Sequence, residues 1–206
     1  DFEQLAVLIK VKGQCTTDHI SPAGKWLRFR GHLDKISDNM FTAAENVFTG
    51  ETGTAIDLLD GQKKPIPQAA RHYKAQGLGW AVVGDDNYGE GSSREHAAMS
   101  PRYLGCWLVV AKNFARLHIT NLKKQGILPC TFTAPGDYDK VASGDRLSVH
   151  QLNALAPGKP LSATLHHADG RAEPIPLLHS MTDEQIRWFR AGAALNLLVD
   201  ETPTPR

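Results

Sequence analysis

Cysteine is scarce in this chain of 206 residues: Cys15, Cys106 and Cys130 are the only ones, and no two stand at C-x-x-C spacing. An odd number of widely separated thiols argues against a disulfide framework and points to a reducing compartment. The same scatter withholds the close-set ligands of a metal site. Long hydrophobic runs are missing too, and no stretch approaches the ~18 apolar residues of a spanning helix. Nor is there an excess of one charge. Lys and Arg number 23 against 22 Asp and Glu, a net +1, so electrostatics does not recommend nucleic acid or an anionic membrane as partner. Repeats and low-complexity tracts are absent, and no cleavable leader is recognisable in these residues. Because the chain begins at Asp1 rather than Met, a processed or excised product is expected.

What is present reads as one soluble α/β domain. At 41% hydrophobic and 22% charged residues, the chain buries a core without metal or disulfide staples. The opening run LAVLIKVKG (5–13) reads as a buried strand, followed by the polar loop CTTDHISPAG. Residues 31–64 are rich in Gly, Asp, Asn and Lys, and are expected to be loop apart from one short helix near Met40–Asn46. PIPQAARHYKAQG (65–77) sets Ile66, Ala69, Ala70 and Tyr73 at helical spacing between Pro and Gly.

Strand and helix patterns then alternate: strand 79–84, helix 92–99, strand 107–111, helix 113–126, strand 127–133. That order implies a parallel sheet with crossover helices. Beyond Pro135 the segments are short β: 146–149, then a hairpin of 162–167 and 173–178 over the turn Ala168-Asp169-Gly170-Arg171. A last helix has Thr182 as N-cap and Gln185 three residues on, with Ile186, Phe189 and Ala193 on one face. The expectation is a single domain over 1–206, with its core in about 5–197 and a flexible tail over 198–206.

The segment GDDNYGEGSSREHAAMSP (84–101) carries the chemistry. It sets a Gly-rich turn between a strand's carboxyl end and a helix's amino end, the edge where parallel sheets bind ligands and where free N–H groups favour an anion. Gly89 and Gly91 allow close backbone approach. Ser92 and Ser93 add hydroxyls, and Arg94 a fork of donors matched to a carboxylate. Phosphate motifs fail: the P-loop lysine is replaced by Ser92, and G-E-G-S-S-R lacks the third dinucleotide glycine. A carboxylate site remains. On the residues alone, Asp85, Asp86 and Asn87 either orient the loop or merely form the turn, and His96, Arg116 and His118 have packing or solvated roles.

GDDNYGEGSSREHAA closely resembles the signature of the aconitases, in particular the C-terminal swivel domain of the mitochondrial type. The likeness extends to LIKVKGQCTTDHISPAGKWLRFRGHLD (8–34), NFARLHITNLKKQG (113–126), APGKPL (156–161) and QIRWFRAGAALN (185–196), nearly the whole chain. It implies a swivelling β/β/α three-layer domain with a mostly parallel sheet and an additional β layer. It implies a hydro-lyase that interconverts citrate and isocitrate through cis-aconitate, with a [4Fe–4S] cluster ligated by other domains. By the resemblance Ser92 is the base, Ser93, Arg94 and Arg30 bind substrate carboxylates, and Asp18 and His19 lie near the active site. A poor base such as serine needs a positive field, and several carboxylates call for more than one arginine, which agrees with these roles.

The cluster needs three protein thiolates, and the scattered cysteines are not expected to bind it, nor any metal. The chain is therefore expected to be one wall of an active site, inactive alone, in the mitochondrial matrix or a bacterial cytoplasm. Its partners are the tricarboxylates and the remaining aconitase domains, covalent or in trans. Alternatives are a free-standing small subunit of the isopropylmalate isomerase kind that pairs with a cluster-bearing large subunit, and 2-methylcitrate-type specificity. RNA binding, as in iron-regulatory relatives, finds no support in a net +1.

Overall fold

The apolar run near the amino terminus is buried on both faces because it becomes β1 (Phe2–Lys10), an interior strand with a parallel neighbour on one side and an antiparallel one on the other. The structure is a computed structural model that describes residues 1–200. After β1 come the short helices α1 (Thr17–Ile20) and α2 (Leu33–Ile36), and two small ribbons, β2 (Glu45–Asn46) with β3 (Glu51–Thr52) and β4 (Thr54–Ile56) with β5 (Lys63–Pro65). Next are α3 (Ile66–Ala75), β6 (Trp80–Val83), α4 (His96–Tyr103), β7 (Cys106–Ala111), α5 (Arg116–Lys124) and β8 (Leu128–Phe132). The last third holds β9 (Arg146–Val149), β10 (Ala163–His166), β11 (Ala172–Pro174), β12 (Leu177–Leu178), α6 (Asp183–Ala191) and α7 (Ala194–Asp200).

One 8-stranded sheet runs in the order β11-β10-β9-β1-β6-β7-β8-β12. Strands β6, β7 and β8 are parallel, as expected, β1 joins them in parallel, and the remaining pairs are antiparallel. The two ends of this sheet meet. Leu161, just before β10, exchanges backbone hydrogen bonds of 2.8 and 3.0 Å with Leu177 of β12. The sheet thus wraps its own apolar core, in which Val7, Val83, Leu108, Val110, Leu147 and Leu165 are buried. The alternate residues Ala6, Leu8, Trp80, Val82 and Val109 face outward and pack with Ala69, Tyr73 and Ala97 of α3 and α4. Two β layers around an inner core, with a second core between the sheet and the helices, is the layering expected from sequence.

Three local expectations are corrected. No helix forms over Met40–Asn46; the helical turn is α2, followed by a 3-10 turn at Ser37–Asn39. Met40 and Phe41 are fully buried in the helix-side core, and the Asn46 amide is taken by distant backbone. Its Nδ2 donates to Leu8 and Thr54 carbonyls, and its Oδ1 accepts from the N–H groups of Lys10 and Phe48. A side chain so committed holds an irregular segment against β1. Second, the helix expected at 92–99 starts at His96, and the one expected at 113–126 starts at Arg116. Third, α6 ends at Gly192 with φ +91, so Ala193 falls beyond it. The capping box of Thr182 with Gln185 forms as expected. Of the tail expected to be flexible, 198–200 finish α7 and 201–206 lie outside the described residues.

Candidate active site

The loop that leaves β6 is stitched on both sides. Toward β1, Gly89 N–H donates to the Cys15 carbonyl and Thr17 N–H to the Glu90 carbonyl, both at 2.8 Å. Toward β7, the Tyr88 N–H donates to the Asn113 carbonyl and the Ala115 N–H to the Tyr88 carbonyl. The ladders of β1, β6 and β7 therefore continue past the strand ends, through isolated parallel bridges at Thr16–Glu90 and Tyr88–Phe114. This is also why α5 begins late: Asn113 to Ala115 are engaged with Tyr88.

The acids at the start of the loop do orient it. Asp85 is buried, accepts from the Gly13 N–H at 2.7 Å and pairs with Lys112 at 2.9 Å. Burial opposes its ionisation, but the Lys112 ammonium and the Gly13 N–H outweigh that and hold its carboxyl below the usual range. Asp86 accepts from Asn113 Nδ2, whose amide oxygen in turn receives the Asn87 N–H. Glycine is required at position 89. Its φ is +86, and a Cβ there would stand 2.2 Å from Cγ of His118.

The two serines and the arginine follow in an irregular stretch ahead of α4. Ser92 is exposed, and its carbonyl accepts from Thr17 Oγ1 at 2.8 Å. Ser93 Oγ accepts from Asn121 Nδ2 at 3.2 Å. Arg94 Nη1 donates to Asp18 Oδ1 at 2.8 Å and to the Ser21 carbonyl at 2.9 Å. That guanidinium holds the Asp18 carboxyl below the usual range. Ser93 and Arg94 line a cavity of about 250 Å³ together with Thr17, Glu90, Arg116 and Asn121. Gly91 and Ser93 on either side of Ser92 line it, while Ser92 itself does not.

The other candidates separate. Asp18 is brought to Arg94, but His19 closes a capping box on α1, with its N–H on Thr16 Oγ1 and its Nδ1 accepting the Thr16 N–H. It lines a different cavity of about 270 Å³ with Lys12, Cys15 and Glu45. Arg30 is exposed after the 3-10 turn Gly24–Phe29, and its guanidinium makes no hydrogen bond among the described residues. Its carbonyl is bonded at 2.8 Å to Nε2 of His96, and neither residue lines the cavity of Ser93 and Arg94.

Residues assigned to packing or solvent divide as well. His118 does pack: it is 2% exposed, and burial lowers its pKa to about 4. Arg116, however, reaches the cavity, and so does Asn121, on which the sequence carried no reading. No spacing rule would have found them, because what brings them there is the pairing of Tyr88 with Phe114.

No described group of side chains suits an iron–sulfur cluster. Cys15 and Cys106 are buried in the helix-side core and Cys130 in the inner one, all free. Burial pushes the Cys15 and Cys106 thiols up to about 12 and raises that of Cys130, against the thiolate a metal needs. Asp57, Asp60 and His72 are close enough to share a cation. Lys64 Nζ sits between the two acids at 2.7 and 2.5 Å and already supplies a cation there.

The profile of the family described as the aconitase C-terminal domain matches residues 5–135. The chain belongs to that family. It is 55% identical to the mitochondrial aconitate hydratase of Gracilaria gracilis, 52% to the probable mitochondrial aconitate hydratase of Caenorhabditis elegans and 48% to that of Saccharomyces cerevisiae. Each match covers 95% of this chain and 25% of the relative, so the chain spans about a quarter of those proteins. Among solved structures, a 3-isopropylmalate dehydratase from Methanocaldococcus jannaschii shares the fold, with a TM-score of 0.57 at 18% identity, covering 96% of this chain and 92% of that one.

Proposed function

We propose that this aconitase C-terminal domain forms the proton-abstracting and carboxylate-holding wall of an aconitate hydratase, interconverting citrate and isocitrate through cis-aconitate. In this reading Ser92 Oγ takes the proton from the carbon next to a carboxylate, and Ser93 and Arg94 hold a carboxylate group. Arg30 closes on the substrate from its exposed turn. The observation that carries the reading is the convergence of Ser93 and Arg94 on one cavity, with Arg94 aimed by Asp18 and the Ser21 carbonyl. A guanidinium fixed by two acceptors is pre-oriented for the next anion.

In this reading the positive field that a serine base needs comes from Arg94 and Arg30. The amino end of α4 does not supply it, because that helix starts at His96, well past Ser92. The iron–sulfur cluster and the acid that protonates the leaving hydroxyl belong to the rest of the longer protein, whose mitochondrial relatives suggest the matrix as its location. The fold shared with 3-isopropylmalate dehydratase favours, as a second reading, assembly with a separate cluster-bearing chain.

The test is steady-state kinetics on the full-length, cluster-loaded enzyme. Ser92→Ala should lower kcat by about 10³-fold with little change in KM, the scale of a lost general base. Arg94→Ala should raise KM for citrate. A Ser92→Ala enzyme near wild-type kcat removes Ser92 as the base.

A further inference from the structure

We propose that Asn121 is a positioning residue for Ser93, fixing that hydroxyl as a donor to substrate; this rests on the reading of Ser93 as a carboxylate ligand. Asn121 is 8% exposed on the inner face of α5, beside His118 and Leu122. Its Nδ2 donates to Ser93 Oγ at 3.2 Å across 28 residues of sequence. An amide N–H₂ only donates, so the serine oxygen is the acceptor in this pair. A hydroxyl has one proton. With a lone pair engaged by Asn121, that proton is left for another acceptor, and both residues line the same cavity. A substrate carboxylate there is such an acceptor.

The platform beneath Asn121 is stiff. The Ala115 N–H at the start of α5 donates to the Tyr88 carbonyl at 2.9 Å, and the His118 ring lies directly against Gly89. Ser93 itself is exposed and belongs to no helix or strand. Among the described residues, Asn121 is the only group that bonds its side chain. Helix α5 thus positions the hydroxyl of a residue on the loop ahead of α4 before substrate arrives, which lowers the ordering cost of binding.

A double-mutant cycle on the full-length enzyme with citrate separates this from a general packing role. Asn121→Ala should raise KM about 5-fold, the scale of one lost hydrogen bond, with kcat within about 2-fold. Added to Ser93→Ala, it should raise KM no further. Asn121→Asp, of the same size, should raise KM at least as much, because a carboxylate captures the serine proton; it stands in if the alanine variant fails to fold. Independent, multiplying effects of Asn121→Ala and Ser93→Ala overturn the proposal, and so does an unchanged KM in Asn121→Ala while Ser93→Ala is impaired. If Ser93→Ala alone leaves KM unchanged, the reading of Ser93 fails first and takes this inference with it.

Discussion

Gly89 and His118 show how tightly single residues are constrained around the site. Alanine at 89 must hold φ +86 and force its Cβ to 2.2 Å from an imidazole that has nowhere to go. The expected loss is roughly 3 kcal/mol or more of stability, read from the urea midpoint of Gly89→Ala. His118 carries a pH dependence whose sign is set by its burial. An unfolded imidazole titrates near ~6.5, whereas the folded one titrates at about 4. The folded state therefore favours the neutral ring. Its contribution is complete above ~6.5 and drains as pH falls toward 4, by up to about 3 kcal/mol. In His118→Gln the difference in urea midpoint between pH 7 and pH 4.5 should shrink; an equal difference would show that His118 is not the titrating group. The motif that carries Ser92, Ser93 and Arg94 was legible in sequence because it is contiguous, and the cavity shared by Ser93 and Arg94 came only from the fold. Asn121 and Arg116 were not legible, because nothing local distinguishes a helix residue that meets a cavity from one that meets solvent.

At the scale of elements, signals that depend on near neighbours in the chain were the readable ones. The capping box of Thr182 and Gln185 is closed within one turn, and both of its bonds form. Thr182→Ala should cost about 1 kcal/mol and leave α4 and α5 untouched, a shift checked by thermal unfolding. The buried strands β6, β7 and β8 were equally plain, since parallel strands covered on both faces are apolar without interruption. Failures came where an element's start is decided by a distant bond. The Thr17 hydroxyl on the Ser92 carbonyl and the Asn121 amide on Ser93 Oγ engage the residues ahead of α4. Likewise the Asn46 amide, bonded to Leu8 and Thr54, binds a segment whose composition had suggested a short helix.

For the whole molecule, the wrapped sheet has a chemical consequence. It divides the cysteines between two cores on opposite faces, with Cys15 and Cys106 on one and Cys130 in the other. The domain incubated with iron and sulfide should therefore take up no stoichiometric cluster; a stable visible-range chromophore tied to these thiols would contradict that. The β-rich last third closes the sheet through Leu161 and Leu177, on the side remote in sequence from the serine loop.

Sequence alone determined the family, the parallel run of β6, β7 and β8 and the motif that holds the serines, because each is written in contiguous residues and local periodicity. Only the tertiary structure decided which side chains meet. The register of β1, β6 and β7 lines up the chain at Cys15–Thr17, Tyr88–Glu90 and Asn113–Ala115. That alignment delivers Asp18 to Arg94 and Asn121 to Ser93, whereas the residue next to Asp18, His19, is turned to cap its own helix. Torsion preferences act over a few residues and cannot encode such meetings; hydrogen-bond register between strands far apart in sequence does.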